Sequence, residues 1–296
     1  MPSQLAFPAV LGYVEPVTKK YRKETLQDPC ISRIGGPPAF LKTAPDFDES
    51  LITCPKCSKQ MRLLLQLFAP EGQDRPHAYV RLIYVFTCDN GKCATDGWSP
   101  SFKVLRSQST ETSLRPETTW SPAEFDLMEI ISEAEPAEVP SAPSSRDKGD
   151  RKKEGEFKEV MVENDGSEKY VKVKGDSAFY KFNKRLGVAP EQVLRYLRTE
   201  KLLESSDAAT LWISDKGKLA DKDVPACEHC KAARSIEFQI MPTLLSYLDI
   251  DDTKADTLDW GVLSVYTCND ACRAANDAFV EEKLFRQEYD MKTSIF

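Results

Sequence analysis

Two stretches of this chain nearly repeat each other, and their cysteines restrict the folds it can adopt. The first runs Cys54-Pro-Lys-Cys57, continues nine residues on to Gln66-Leu-Phe-Ala-Pro70, and ends Tyr84-Val-Phe-Thr-Cys88 with Cys93 beyond it. The second runs Cys227-Glu-His-Cys230, continues nine residues on to Gln239-Ile-Met-Pro242, and ends Leu263-Ser-Val-Tyr-Thr-Cys268 with Cys272 beyond it. Eight of the nine cysteines fall into these two sets. Such self-similarity points to an internal duplication.

In each copy one CxxC precedes a strand and the second cysteine pair follows the next strand. An antiparallel pair of strands returns its far end to its near end, so both cysteine pairs meet at one edge. Four thiolates that converge this way suit a tetrahedral zinc ion. The expected ligand sets are Cys54, Cys57, Cys88 and Cys93, and Cys227, Cys230, Cys268 and Cys272, holding two structural Zn2+ ions. Buried free thiols are the bland alternative. A thioredoxin-like redox pair would open a helix in a βαβ setting, whereas both CxxC pairs here lead into strands. His229 reads as solvent-facing, Cys30 as an ordinary buried thiol, and Cys272 as lying in the first turn of a final helix.

A zinc ion bound by four thiolates has no open coordination position, so it stabilises and does not catalyse. With only His77 and His229 present, a Ser/His or Cys/His nucleophile is improbable. Neither a P-loop nor a dinucleotide fingerprint occurs. The expectation is a protein that is not an enzyme. Residues 1–8 lack the basic start of a signal peptide and no run reaches the roughly 18 apolar residues of a membrane span. Hence the expected location is cytoplasmic, with shuttling to the nucleus left open, and thiols kept reduced.

The chain divides into an N-terminal β-rich half (1–106), an acidic and Pro/Ser-rich linker (107–156) and a C-terminal half (157–296). The fold class expected is α+β and β-rich, with two pseudo-repeated halves, each an antiparallel sheet with paired zinc knuckles, and a few helices in the C-terminal half. Residues 5–14 read as an opening strand, Gly35-Gly36-Pro37-Pro38 as a rigid turn, and 61–69, 79–87 and 101–106 as strands. Within the linker, Trp120 to Phe125 carries a capping box ahead of a short amphipathic helix with Leu127, Met128 and Ile131 on one side. Residues 157–173 read as a hairpin, Ser177 to Leu186 as a helix, Pro190 onward as another, 211–213 as a short strand, and 270–289 as a last helix. A net charge of -7 with a pI near 5.2 argues against direct nucleic-acid binding and favours a basic protein partner.

Particular neighbours of the cysteines resemble a known family. They are Leu11-Gly-Tyr-Val-Glu15, Ile34-Gly-Gly-Pro-Pro-Ala-Phe-Leu41, Leu64-Leu-Gln-Leu-Phe-Ala-Pro70, Tyr180-Lys-Phe-Asn-Lys-Arg185 with Gln192-Val-Leu-Arg-Tyr196, Gln239-Ile-Met-Pro-Thr-Leu-Leu245 and Asp259-Trp-Gly-Val-Leu-Ser-Val-Tyr-Thr-Cys268. Together these are similar to the programmed cell death protein 2 family. No MYND-type finger stands between the halves, so the resemblance is to the shorter, yeast ribosome-maturation-like or "2-like" branch. It implies a dedicated chaperone that holds one newly made basic protein of the small (40S) ribosomal subunit, called S-two in eukaryotes and S-five in bacteria, as a monomer. The alternative is a zinc-binding adaptor in cell-cycle or apoptosis regulation.

Overall fold

The computed structural model describes residues 9–72, 74–115, 120, 122–136, 176–198, 210–250, 254 and 256–288. In chain order the strands are β1 (Val10–Pro16), β2 (Arg33–Ile34), β3 (Arg62–Phe68), β4 (Val80–Thr87), β5 (Phe102–Ser109), β6 (Met128–Ala134), β7 (Leu194–Tyr196), β8 (Arg234–Ile240), β9 (Val262–Cys268) and β10 (Val280–Gln287). Two α-helices, α1 (Arg22–Gln27) and α2 (Ser177–Val188), and several 3-10 turns accompany them. The strands close one antiparallel barrel in the order β1-β6-β2-β3-β4-β5-β10-β9-β8-β7, with β7 returning to β1. The fold is therefore β-rich with few helices. Where one sheet per half was expected, a single closed sheet is found, to which β2–β5 and β7–β10 contribute adjoining arcs. Closure pairs the strand edges that two open sheets would leave exposed.

The residues dictate this closure because the strands are apolar on both faces. Register places Leu65 opposite Val85 and Val85 opposite Val104, and likewise Phe238 opposite Val265 and Val265 opposite Leu284. These fill the barrel interior with Ile34, Ile83, Ile130, Ile240 and Leu263. The alternate residues Leu63, Leu82, Tyr84, Phe86 and Leu105 point outward yet are also buried, under Phe40, Phe47 and Phe279. Every position of β4 is buried as a result. On the opposite arc, Tyr266 and Phe285 lie under Trp98 and Trp212. Each such aromatic contributes about 1.5–3 kcal/mol by leaving water.

Two local devices repeat. β3 shifts register between Leu63 and Leu65, and β8 between Ile236 and Phe238, each just before its glutamine. Arg33 stands opposite Gln66, as Arg195 stands opposite Gln239. The Gly-Gly-Pro-Pro turn is as rigid as expected: Gly35 holds φ +63° and a Cβ there would lie 2.4 Å from the Asp126 carbonyl oxygen. Only glycine meets both demands.

Four segments expected to be helical or buried differ. The helix after Trp120 is absent: residues 122–127 are irregular and the chain then enters β6, so part of the expected linker is a barrel strand. Met128 and Ile130 alternate into the core, a spacing that also fits one helix face, and tertiary pairing with β1 and β2 decides between the two. The helix from Pro190 is instead β7, and that from 270 is a 3-10 turn at Ala275–Asp277 followed by β10. Period two was hidden there because inward positions of β10 carry Glu282 and Arg286, buried within ion pairs. Cys30 is exposed. Residues 211–213 form no ladder; their backbone bonds go to the side-chain amides of Gln239 and Gln287. α2 starts at Ser177 as expected but runs through Gly187 to Val188, and is capped by Asp176, whose carboxylate accepts from the Ala178 and Phe179 N–H groups. The expected hairpin at 157–173 lies outside the described residues.

Candidate metal centre

Each CxxC is a turn held by the same backbone bonds. The Cys54 N–H donates to Lys59 O at 2.8 Å and the Ser58 N–H to Cys54 O at 2.8 Å. Correspondingly, the Cys227 N–H donates to Ala232 O at 2.8 Å and the Lys231 N–H to Cys227 O at 2.9 Å. Ser58 and Lys231 adopt left-handed φ of 58° and 67°, which turns the chain sharply enough to aim both sulfurs of a pair one way. The second pair in each copy follows β4 or β9. Antiparallel pairing of β3 with β4 and of β8 with β9 then brings Cys88 and Cys93 to the first turn and Cys268 and Cys272 to the second.

The eight cysteines form two sets, and within each the four sulfurs lie within 4.8 Å of one another. Cys57 Sγ is 3.6 Å from Cys88 Sγ, Cys227 Sγ is 3.7 Å from Cys272 Sγ, and Cys230 Sγ is 3.4 Å from Cys268 Sγ. Zinc–thiolate bonds of about 2.3 Å place tetrahedral sulfurs roughly 3.8 Å apart. The two clusters can thus hold metal ions, and their all-sulfur donor sets are compatible with zinc. Both sets are the ones expected from spacing alone. Cys272 belongs to a loop and not to a helix, so no macrodipole acts on it. His229 is exposed and outside the cluster.

The thiols are electrostatically unequal. The Lys59 N–H, assisted by neighbouring thiols against a small burial effect, brings Cys57 down to about 7, while burial holds Cys88 up and raises Cys93 to about 11. Burial pushes Cys230 upward too, but the Ala232 N–H and the other three thiols outweigh it and leave it lowered; Cys268 and Cys272 are raised chiefly by burial. Within the clusters Cys57 and Cys230 are thus lowered while Cys88, Cys93, Cys268 and Cys272 are raised, and a bound cation would displace the protons of the raised thiols.

What supports the clusters was not legible as function. Glu282 is completely buried between Arg106 (2.7 Å) and Arg234 (2.9 Å), and also accepts from the Cys268 N–H at 3.1 Å. Arg106 donates to Cys272 O at 3.0 Å and Arg234 to Ala226 O at 2.6 Å. This ion triad thus fixes the backbone around the second cluster, as outer-shell groups do for metal ligands. The first cluster instead shares an apolar group with Met61 and Leu63. Each cluster is also braced by the other half. Arg75 donates to Asn269 O and His77 Nε2 lies 3.1 Å from Ala271 O, while the Gly91 N–H donates to Asp256 O and Lys92 pairs with Asp256. The signal for the triad was charge at inward positions of apolar strands, as in Val104-x-Arg106 and Glu282-x-Leu284.

Comparison with known proteins locates these features. Residues 8–115 match the family described as programmed cell death protein 2, N-terminal domain, and residues 176–289 the programmed cell death protein 2, C-terminal putative domain. The chain is 27% identical to programmed cell death protein 2 of Bos taurus, over 97% of this chain and 98% of the relative, and 25% identical to that of Mus musculus, over 95% and 96%. It is 39% identical to programmed cell death protein 2-like of Gallus gallus over 44% of this chain and 33% of that protein. No solved structure matches it.

Proposed function

Because the chain belongs to the programmed cell death protein 2 family, we propose that it is a dedicated chaperone for a newly synthesised basic protein of the small ribosomal subunit. It works in the cytoplasm as a monomer, without catalysis, and carries two structural zinc ions. Cys54, Cys57, Cys88 and Cys93 would hold one ion and Cys227, Cys230, Cys268 and Cys272 the other. A zinc ion ligated by four thiolates supplies folding energy and no open position for substrate. The matched bulges and glutamine-opposed arginines favour an origin of the barrel by duplication of one half.

The observation that best supports a basic client is the outer face of β1 and β6. Register sets Glu15 opposite Glu129, Tyr13 opposite Ile131 and Leu11 opposite Glu133, all on one face. Glu15 and Glu133 are exposed and Tyr13 and Ile131 half-buried. Carboxylates around an aromatic and an aliphatic side chain suit a segment rich in Lys and Arg, and the charge of -7 speeds its capture. With the barrel closed, a client would be held by side chains and not by strand addition. The amphipathic helix expected in the linker, which an adaptor could have used as a docking peptide, is replaced by β6.

Selective sequencing of nascent chains recovered with the tagged protein tests this. Enrichment of one small-subunit ribosomal protein is expected, and Glu15→Lys/Glu133→Lys should reduce it. Recovery with no enrichment of any single ribosomal protein refutes the proposal.

A further inference from the structure

On the N-terminal arc, a cleft of about 1080 Å³ opens between α1, the Pro37–Ala39 turn and the residues Leu114, Arg115, Trp120 and Glu124. Lys19, Arg22, Lys23 and Arg115 line it, and Glu124 is its one carboxylate, already paired with Arg22 at 3.3 Å. Lys19 and Lys23 form no ion pair among the described residues, so the wall carries uncompensated positive charge. The rest of the lining is largely apolar, with Leu26, Phe40 and Trp120 prominent. An adjoining cleft of about 780 Å³ mixes Lys20 and Lys23 with Glu24 and Asp28 and is balanced by comparison.

Buried donors at this cleft also lack acceptors. Trp120 Nε1 and Arg115 Nε, both from lining residues, have no partner among the described residues. Directly behind the floor lies Arg33, fully buried, which donates to Pro37 O and to Gln66 Oε1, the oxygen that also accepts from the Ala39 N–H. Its Nε and Nη1 are unpartnered, and Glu129 across β6 makes no ion pair with it. The counterpart in the other half behaves differently: Arg195, at the same register opposite Gln239, pairs with Glu135 at 2.9 Å. One half thus supplies a carboxylate to its buried guanidinium and the other does not. Burial lowers Arg33 only to about 10, so it stays charged at neutral pH and its field reaches the cleft with little screening.

We propose that this cleft binds an acidic peptide segment of a partner protein, its carboxylates set against Lys19 and Lys23 and an apolar side chain set against Trp120. An isolated small anion would leave most of the volume and the apolar wall unused. A polyphosphate strand carries a charge at every nucleotide, more than the two unpaired lysines of the wall can neutralise, because Arg22 is held by Glu124 and Arg115 by Asp46. The site is independent of the basic-client reading, because it recognises the opposite charge on a different face.

Fluorescence anisotropy with the full-length protein tests it. The probe is a labelled short peptide that alternates Glu or Asp with Leu, alongside its Gln/Asn analogue and a single-stranded RNA of equal length. Saturable binding of the acidic peptide alone is expected, weakened about tenfold by Lys19→Glu/Lys23→Glu, two reversals of exposed charge. Trp120→Phe, which keeps the ring and removes the N–H, should weaken it less. Lys222→Glu, a distant exposed reversal, should leave it unchanged, and circular dichroism establishes that each variant is folded. Preference for the RNA, equal binding of the neutral peptide, indifference to the Lys19/Lys23 reversal, or no saturable binding, as an occupant from this chain itself would give, overturns the proposal.

Discussion

Glu237 offers the sharpest test of how the barrel is held. It sits at the β8 bulge, completely buried, and receives Arg81 from β4 in a two-pronged pair at 2.9 and 2.8 Å. Tyr196 OH donates to it at 2.7 Å, Thr267 Oγ1 donates as well, and Arg198 lies at 3.5 Å. Burial alone would raise its pKa, but Arg81 chiefly, then Arg198 and the Thr267 hydroxyl, bring it from the ordinary 4.5 to about 2. That displacement corresponds to roughly 3 kcal/mol of preference for the charged form. Glu237→Gln keeps the shape and removes the charge, leaving Arg81 with the Ala69 carbonyl, the Thr267 hydroxyl and a more distant Glu71. Breaking one side of a buried pair costs about 3–5 kcal/mol, so a loss of about 3 kcal/mol is expected. Because the folded pKa lies below the unfolded one, the stabilisation is complete above the unfolded value and fades as pH falls through it. Urea unfolding followed by tryptophan fluorescence, with metal in excess, should show the full gap between wild type and variant near pH 7 and a gap smaller by roughly 1 kcal/mol near pH 4. Replacing both partners by Leu and Met should cost less than either single change. A loss under about 1 kcal/mol, or a gap indifferent to pH, refutes this account.

Native mass spectrometry of the purified chain should show two zinc equivalents, and Cys57→Ser or Cys230→Ser should leave one, with the matching arc losing amide protection. Glu282→Gln should lower metal affinity at the second cluster by roughly 10–100-fold, as loss of an outer-shell partner does, and leave the first unchanged in a chelator competition. Gly91→Ala should destabilise by about 1–3 kcal/mol in thermal unfolding, since the new methyl would fall 2.1 Å from the Thr257 carbonyl oxygen.

Both clusters were legible because metal-ligand spacing and strand return are local rules: a CxxC, a strand, a turn, a strand and another cysteine pair suffice. The strands at 62–68 and 80–87 were equally plain from their apolar runs. What escaped was set by distant partners. β6 and β10 carry patterns that fit helix or strand, and the choice rests on ladders with β1, β2, β5 and β9. In β10 the inward positions hold Glu282 and Arg286, and at the start of β8 Arg234 is buried as well; their burial becomes tolerable only once the facing charges arrive. An isolated reading prices those residues as solvated, and so misses both the strand and its closure.

The same long-range dependence explains why the two cysteine-bearing halves share one barrel. Phe279, from the C-terminal half, covers Phe40 and Tyr84 on the N-terminal arc, whereas Trp98, from the N-terminal half, covers Tyr266 and Phe285 on the other. The bracing loops cross as well, Arg75 to Asn269 and Gly91 to Asp256. Each half completes the cover over the other's outer aromatics and braces the loop that carries the other's second cysteine pair. An ion bound at one cluster fixes β3 and β4 at that edge, and so also the loop that braces the opposite cluster. An ion bound at either cluster would therefore assist closure of the barrel, whose two arcs are tied inside by the buried pairs Arg81–Glu237 and Arg106–Glu282.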